Sequence, residues 1–572
     1  MGFNKKRGTL VGVNALSGIV STAYCVVVRA VFPDVLEKLR PASGYRARNP
    51  GGDRAHGGDR ILRPRRLARA VARYAAGVRM TAIQPPGVGD KGLKAGALGY
   101  MSNLVIGVAS TAPAYSLAAT LGFIVVIRGV GVHAPAVLIA SFVPILLVAI
   151  GYRYLNRADP DAGTTFAWTT RAFGPWFGWI NGWAIFVADV IVMASLAVIA
   201  SQYTFLLFGW TSAANSTTGI IIGSVVWIAL MTWISYRGIE ISARTQTALL
   251  GAEVVILAIF AVVAIVKVYT GSPAGSMHVS ASWFNPFDIS FTALVLGVLL
   301  GIFIYWGWDS GVAVNEESRN PTEGPGKAAV VSTILLLLIY VIVSTAAQAY
   351  AGTKYLGNNS NDVLSVLGFR VFGSPWDKLL IIAVLTSAAA STQTTILPTA
   401  RTTLSMAKWG AIPAIFGRIH PRYLTPSVST LGMGALSIVW TVLLVAFNPA
   451  QNVLNDSITG LGFSILFYYG FTGLACAWYF RRQLFTSVKA FVLAGLMPLL
   501  GGLIMAAVFV KAFIEDSKPA NAYSKPLLGI QIPIVIGIGG LLLGVPIMLL
   551  CAFGLRGYFR RRTEVAPPGL LD

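Results

Sequence analysis

The segment GIFIYWGWDSG, residues 301–311, decides the fold, because three glycines stand among aromatic side chains inside an apolar stretch. Glycine weakens a helix, and a helix exposed to lipid has no reason to interrupt its own hydrogen bonds. Irregular backbone at membrane depth therefore usually lines a cavity or a binding site. The segment predicts a helix that breaks in the middle of a membrane span.

A second segment, GVASTAPAY at residues 107–115, has the same character. Pro113 lacks an N–H group, and its ring clashes with the preceding helical turn. The two breaks fall in the first and sixth predicted spans. The two broken spans are five spans apart, and five is an odd number. If spans 6–10 repeat spans 1–5, the second set therefore enters the membrane from the opposite side. This is typical of an inverted repeat of five plus five spans. Kinks that only permit close helix packing are the alternative.

The composition indicates a chain whose solvent is mostly lipid. Hydrophobic residues make up 55% of the chain and charged residues 12%, against about 25% charged in a soluble domain. Mean hydropathy is +0.70, and the apolar blocks are long enough to cross about 30 Å of hydrocarbon. They predict an all-α integral membrane protein with about 12 transmembrane helices, at about residues 97–126, 133–154, 174–208, 218–236, 243–269, 289–314, 328–351, 377–406, 426–447, 453–480, 488–514 and 529–555.

The net charge of +22 would suggest nucleic acid as the partner of a soluble protein, but its distribution indicates orientation in the bilayer instead. Residues 1–79 hold 16 Lys/Arg and 4 Asp/Glu, and the loops on the same side as this tail are the more basic ones. The positive-inside rule then predicts that both termini lie in the cytoplasm. We expect a multi-pass protein of the cell membrane, and we expect no nucleic-acid partner. The predicted organisation is a basic, largely disordered tail at 1–96, a transmembrane domain at 97–556 and a second tail at 557–572.

The sequence break at Met80, after an Arg-, Gly- and Pro-rich stretch, predicts that the functional chain begins near that residue. The three cysteines lie far apart, without the spacing of a metal site or a disulfide framework. The chain contains no HExxH run and no GxxxxGK[ST] run, so we expect neither an enzyme nor ATP-driven transport, and no cofactor or metal. Topology alone leaves a channel or a receptor open.

Three motifs resemble the amino acid-polyamine-organocation permeases over about residues 95–560. They are DAGTTFAW at 161–168 with FGPWFGW at 173–179, YWGWD at 305–309 with EESRNP at 316–321, and ARTTLSMA at 400–407. The resemblance implies the LeuT-type fold, alternating access, and an amino acid or polyamine bound at the two breaks. The first break departs from the Gly-Ser-Gly type common in that family. The residues expected to bind substrate are Ala109, Ser110, Thr111, Ala112, Tyr305, Trp306 and Gly307.

Two acidic residues are predicted at membrane depth, where a carboxylate is expensive unless it is paired or protonated. Glu253 lies about ten residues into predicted span 5, hence roughly 15 Å deep. In proton-coupled permeases that resemble this chain, a lysine at about this position takes the place of a sodium ion. Reversible protonation would make Glu253 a coupling residue, and bonding to a neighbouring helix backbone is the alternative. Asp189 is expected to serve a substrate amine or a proton path, or to pair with a polar neighbour.

The remaining candidates are structural or gating residues and a possible ion site. Pro113 ends the first half-helix. Asp309 is expected to stabilise the unwound part of span 6, and contact with the substrate is the alternative. Glu316 and Glu317 are expected to cap or gate with Arg319 or Arg401. Hydroxyl groups that could serve a sodium ion or Glu253 belong to Ser387, Ser391 and Thr392. We expect H⁺ rather than Na⁺ as the coupling ion, and the sequence does not predict an oligomeric state.

Overall fold

The computed structural model describes residues 91–571 except 361, 448–449 and 520–523. All of these residues belong to one compact unit. The predicted start near Met80 and most of the predicted basic tail lie outside the described residues.

Twelve helices of the described chain are long and apolar enough to cross a membrane, which confirms the predicted fold class. Span 5 begins at Ile239, four residues before the predicted start, because the positive φ of Gly238 separates it from span 4. The spans are Tyr100–Val126, Gly131–Ala158, Pro175–Leu207, Thr217–Arg237, Ile239–Gly271, Phe291–Ala313, Gly324–Asn358, Lys378–Lys408, Ser427–Phe447, Asn455–Tyr479, Val488–Asp516 and Ile532–Gly554.

Span 1 is broken where the sequence predicted. Its first helix ends at Ser110, and its second helix begins at Pro113. Ala112 between them is in the left-handed region, with φ 47° and ψ 67°. Proline suits the first position of a helix, because the N–H group that it lacks would have no intrahelical partner there. Pro113 therefore starts the second half-helix instead of kinking a continuous one.

Span 6 breaks at the predicted motif and packs directly on the break in span 1. Its helix ends at Tyr305, and a four-residue helix begins again at Ser310. Gly307 has φ +119°, and a Cβ atom at that position would lie 2.7 Å from the carbonyl oxygen of Ser110. The hydroxyl oxygens of Ser110 and Ser310 are 2.8 Å apart. Only glycine allows the two breaks to approach this closely.

The spans of the described chain differ strongly in how much of their surface is buried. Spans 1, 3, 8 and 10 are the most buried, whereas spans 4 and 12 present most of their surface outward. Buried polar side chains belong mainly to the inner spans, where they can pair with one another away from lipid. This arrangement places the candidate site residues of spans 1, 3, 5, 6 and 8 in the buried part of the protein.

Two short helices in loops were not predicted. Thr165–Phe173, which we call the loop helix, lies between spans 2 and 3, and Val363–Phe372 lies between spans 7 and 8. Both helices are too short to cross a membrane, and each is followed by a glycine with positive φ. The loop helix holds the chain after span 12, because Arg171 pairs with Glu564. Part of the predicted C-terminal tail is thus packed against the protein.

Candidate substrate and coupling site

Glu253 connects span 5 to the break in span 1 and to span 8. Its Oε1 accepts a hydrogen bond from the Ala114 amide at 2.7 Å and another from the Ser387 hydroxyl at 2.8 Å. Its Oε2 has no partner within the described residues, although the side chain is fully buried. The backbone contact that we considered as an alternative is therefore present, and it joins Glu253 directly to the second half-helix of span 1.

The three hydroxyl groups predicted for an ion site divide into two kinds. Ser387 accepts from the Tyr115 amide at 3.2 Å in addition to its bond to Glu253. Ser391 donates to the Ser110 carbonyl at 2.8 Å, so it also reaches the break. Thr392 instead bonds back to Ala388 of its own helix at 2.7 Å. Span 8 thus holds the break in place through the two serines.

The backbone amides at the break in span 1 all have partners inside the protein. The Thr111 amide donates to Val108 at 3.2 Å, and the Ala112 amide donates to Ala109 at 3.1 Å. The next amides, of Ala114 and Tyr115, serve Glu253 and Ser387, while Pro113 has none. The predicted substrate residues of span 1 are therefore brought to the site, with their donors already engaged in this conformation.

The aromatic residues of span 6 are anchored by neighbouring spans. Tyr305 is buried, donates to the carbonyl oxygen of Leu138 at 3.2 Å, and makes an edge contact with Tyr340. The indole N–H of Trp306 donates to the hydroxyl of Tyr468. Both predicted residues thus lie at the break, where they are held in fixed orientations.

Asp309 fastens the unwound part of span 6 to span 10. It accepts hydrogen bonds from Tyr469 at 2.8 Å and from Tyr468 at 3.2 Å. Trp308 stacks on Tyr469 with ring centroids 5.2 Å apart. Neither tyrosine was predicted, because their only signal in the sequence is an adjacent Tyr-Tyr pair inside an apolar span.

Asp189 of span 3 lies in the same region. It is buried and accepts a hydrogen bond from Thr399 of span 8. The predicted polar neighbour of Asp189 is therefore present, and it belongs to span 8.

A buried ion pair lies beyond the break, where span 6 gives way to its following loop. Arg401 donates to the two carboxylate oxygens of Glu317 at 2.6 and 2.9 Å, and both side chains are buried. Paired donors of this kind suit the planar guanidinium group. Of the two arginines considered as partners, Arg401 is the one that meets Glu317.

Lys91, which the sequence placed in the basic tail, is buried between two acidic residues. Its ammonium lies 2.9 Å from Asp161 and also pairs with Glu316. The Ala162 amide donates to Glu316 at 2.8 Å. Glu316 therefore joins the chain before span 1 to the loop that follows span 2, and one lysine serves two carboxylates.

The two carboxylates of this cluster differ in their ionisation. Burial acts to raise the pKa of Asp161, but the Lys91 ammonium and the hydrogen bonds from Ser405 and Gly163 hold it below its usual value. Burial raises the pKa of Glu316 to about 7, although Lys91 opposes the rise. The single ammonium of Lys91 can compensate only one negative charge. Asp161 is the carboxylate that stays ionised, because it also accepts the hydrogen bonds from Ser405 and Gly163.

We expect the stability of the purified protein to fall between pH 5 and pH 7.5, in part because of Glu316. Its folded-state pKa of about 7 exceeds the ordinary value of 4.5, so the unfolded chain loses this proton first as the pH rises. The stabilisation is fully present below the unfolded value and is lost as the pH passes through the folded one. Thermal unfolding in detergent across this range should show a smaller decrease for Glu316→Gln than for the wild type. An unchanged slope would contradict the assignment, and Glu323→Gln, in a more exposed ion pair, is the control.

Gly307→Ala should weaken both folding and transport. Backbone strain at a positive φ costs about 1–3 kcal/mol, and the added Cβ would meet the Ser110 carbonyl. We expect a lower unfolding temperature and uptake reduced roughly tenfold or more, in keeping with 1.4 kcal/mol per factor of ten. Gly432→Ala is the matched control, because a Cβ there meets nothing within 4 Å. Wild-type behaviour of Gly307→Ala would show that the breaks do not pack this closely.

The paired breaks and the twelve apolar spans of the described residues are the features of a multi-pass membrane transporter. The family model described as "Amino acid permease" matches residues 98–539, and the chain belongs to this family. This confirms the resemblance to the amino acid-polyamine-organocation permeases.

Several curated relatives are similar to the chain. Asc-type amino acid transporter 1 of Mus musculus is 24% identical over 443 residues, which cover 74% of this chain and 77% of the relative. The low-affinity putrescine importer PlaP of Escherichia coli K12 is 20% identical over 386 residues, covering 67% and 82%. An uncharacterized transporter of Mycobacterium tuberculosis is 24% identical over 326 residues, covering 56% and 67%. Each is a transporter, and the substrate is accordingly a small molecule.

Proposed function

We propose that this protein is a secondary active transporter that works by alternating access, imports or exchanges an amino acid or related amine, and couples this movement to protons. The observation that carries the proposal is the position of Glu253. Its carboxylate accepts hydrogen bonds both from the break in span 1 and from span 8. Among the described residues of span 5, no other carboxylate does so.

Protonation of Glu253 would act on the part of the fold that must rearrange. A charged Oε1 holds the Ala114 amide and the Ser387 hydroxyl strongly, since hydrogen bonds to a carboxylate are stronger than neutral ones. A proton taken up on the unpartnered Oε2 would weaken both contacts. The second half-helix of span 1 would then be released from spans 5 and 8, which links proton binding to opening of the site.

The span 8 hydroxyls favour H⁺ over Na⁺ as the coupling ion. Ser387 and Ser391 donate their protons to Glu253 and Ser110, and Thr392 bonds to its own helix. A sodium ion needs several oxygen ligands in place of such bonds, whereas a proton needs one acceptor. Glu253 supplies that acceptor with no rearrangement of the serines.

We also propose that both termini face the cytoplasm. The basic loops and the basic tail lie on one side of the predicted topology, and positively charged loops are retained in the cytoplasm. Labelling of single cysteines introduced at Arg561 and at Arg370 in intact cells would test this. Protection of the first and reaction of the second is the expected result, and the reverse pattern would overturn the orientation.

Uptake into liposomes containing the purified full chain tests the proposed transport. Labelled amino acids and putrescine are supplied with an inward proton gradient, with a sodium gradient, or with unlabelled substrate inside. We expect saturable uptake and exchange, with accumulation that follows the proton gradient and collapses with a protonophore. Accumulation driven by sodium would overturn the coupling, and conductance without saturation would indicate a channel.

A further inference from the structure

We propose that an anionic phospholipid binds in a groove where the end of span 12 lies beside the start of span 3, with its phosphate on Arg556 and Arg560. The groove has a volume of about 310 Å³ and is lined by residues of both spans and of the short segment after span 12. Span 12 ends at Gly554, and span 3 begins at Pro175. The proposed ligand belongs to the membrane and is distinct from the transported substrate.

One wall of the groove is apolar and open to the lipid. Leu549 and Phe553 lie one turn apart on span 12, with 44% and 74% of their surface exposed. Trp176, the second residue of span 3, and Phe559 complete this wall, with their ring centroids 4.8 Å apart. Because each residue adds 1.5 Å to a helix, Leu549 lies about 6 Å further from the end of span 12 than Phe553 does. The wall therefore gives an acyl chain a surface that runs from the end of the span into the hydrocarbon.

Two arginines line the same groove just beyond the last residue of span 12. Arg556 and Arg560 are exposed, and neither forms an ion pair with a described residue. Glu564, the acidic residue that follows them in the chain, is already paired with Arg171. A guanidinium group binds phosphate oxygens through paired N–H donors. The groove thus combines two uncompensated positive charges with an apolar wall.

This combination matches an anionic phospholipid, whose phosphate lies outside the hydrocarbon and whose chains lie within it. A free phosphate ion would use the two arginines and leave the apolar wall uncovered. A zwitterionic lipid would bring a cation together with its phosphate, so it would compensate the arginines poorly. In the proposed orientation the groove opens to the cytoplasmic leaflet, whose surface carries anionic lipids. An anionic phospholipid therefore satisfies both parts of the groove.

The groove is joined to the loop helix through the residue before Phe559. Tyr558 is buried, and its ring makes an edge contact with that of Phe559, with the centroids 5.0 Å apart. Its hydroxyl oxygen lies 2.8 Å from that of Thr170 and donates to the carbonyl oxygen of Pro175 at 2.9 Å. A lipid packed on Phe559 would hold Tyr558 against the loop helix and the start of span 3. Because such a ligand binds only the folded protein, it should raise the unfolding temperature.

Titration of the purified full chain in detergent with dioctanoyl phosphatidylglycerol tests the site, with native mass spectrometry and thermal unfolding as the two measurements. We expect this lipid to be retained and to raise the unfolding temperature, whereas dioctanoyl phosphatidylcholine at the same concentration does neither. Arg556→Gln with Arg560→Gln should weaken binding of phosphatidylglycerol roughly tenfold or more, because both charges attract the phosphate. Phe553→Ala should weaken it about threefold, because less apolar surface is covered. All three side chains are exposed, so the variants should fold.

Arg561→Gln with Arg562→Gln is the matched control. Both residues are exposed and belong to the same basic run, but neither lines the groove. This variant removes the same amount of charge and should keep the affinity of the wild type. An equal loss of affinity in both double variants would show attraction by net charge alone and overturn the site. Equal binding of phosphatidylcholine, displacement of the lipid by millimolar inorganic phosphate, or unchanged affinity in Phe553→Ala would overturn it as well.

Discussion

Glu253→Gln should abolish proton-driven accumulation while leaving exchange of substrate across the membrane intact. Glutamine keeps the side-chain length and an oxygen that can accept from Ala114 and Ser387, the two partners in the structure. It cannot take up or release a proton in the physiological range. For a one-to-one symporter, a gradient of one pH unit supports about tenfold accumulation, and the variant should show none.

The measurement is uptake of labelled substrate into liposomes with and without the gradient, next to exchange against preloaded substrate. Glu240→Gln is the matched control, because Glu240 lies on the same span but is exposed and pairs with the exposed Lys94. It should retain full accumulation. Full uptake with full pH dependence in Glu253→Gln would remove Glu253 from the coupling mechanism.

Arg401→Met should destabilise the protein more than any other single substitution that we consider. It leaves the carboxylate of Glu317 buried and without its two charged hydrogen bonds. Removing one partner of a buried ion pair typically costs about 3–5 kcal/mol. Thermal unfolding in detergent, followed by uptake in liposomes, should show a large loss of stability and of the folded fraction.

A double variant distinguishes the lost pair from lost packing. Replacing the whole pair by apolar residues is often neutral or stabilising by about 1–4 kcal/mol, so Arg401→Met with Glu317→Leu should be more stable than Arg401→Met alone. Lys327→Met, which breaks the exposed pair with Glu323, is the control and should cost about 0.5 kcal/mol or less. If the double variant is no more stable than the single one, the unpaired charge is not the cause.

The breaks in spans 1 and 6 could be predicted because their causes are local. Pro113 lacks an N–H group, and Gly307 tolerates φ +119°. Such restrictions act within a few residues of the chain and leave a visible pattern. The number of spans could be predicted for the same reason, since length and hydropathy are properties of a continuous segment.

The partners of the site residues could not be predicted in the same way. Glu253 and Ala114 are 139 positions apart, and Asp309 and Tyr469 are 160 positions apart. Lys91 meets Glu316 across 225 positions, although its own neighbourhood has the composition of a tail. The Tyr468 and Tyr469 pair has no distinguishing feature in an apolar span, because its role depends on where span 6 unwinds.

The sequence by itself determined that this chain spans the membrane, where two of its helices break, and which residue types stand at the breaks. Those properties follow from solvent preference and from backbone geometry that is local to each segment. Only the tertiary structure decided that Glu253 bonds to the break in span 1, that Arg401 pairs with Glu317, and that Asp189 accepts a hydrogen bond from Thr399. These pairings depend on packing among helices far apart in the chain, since a buried charge is stable only beside the partner that folding brings to it.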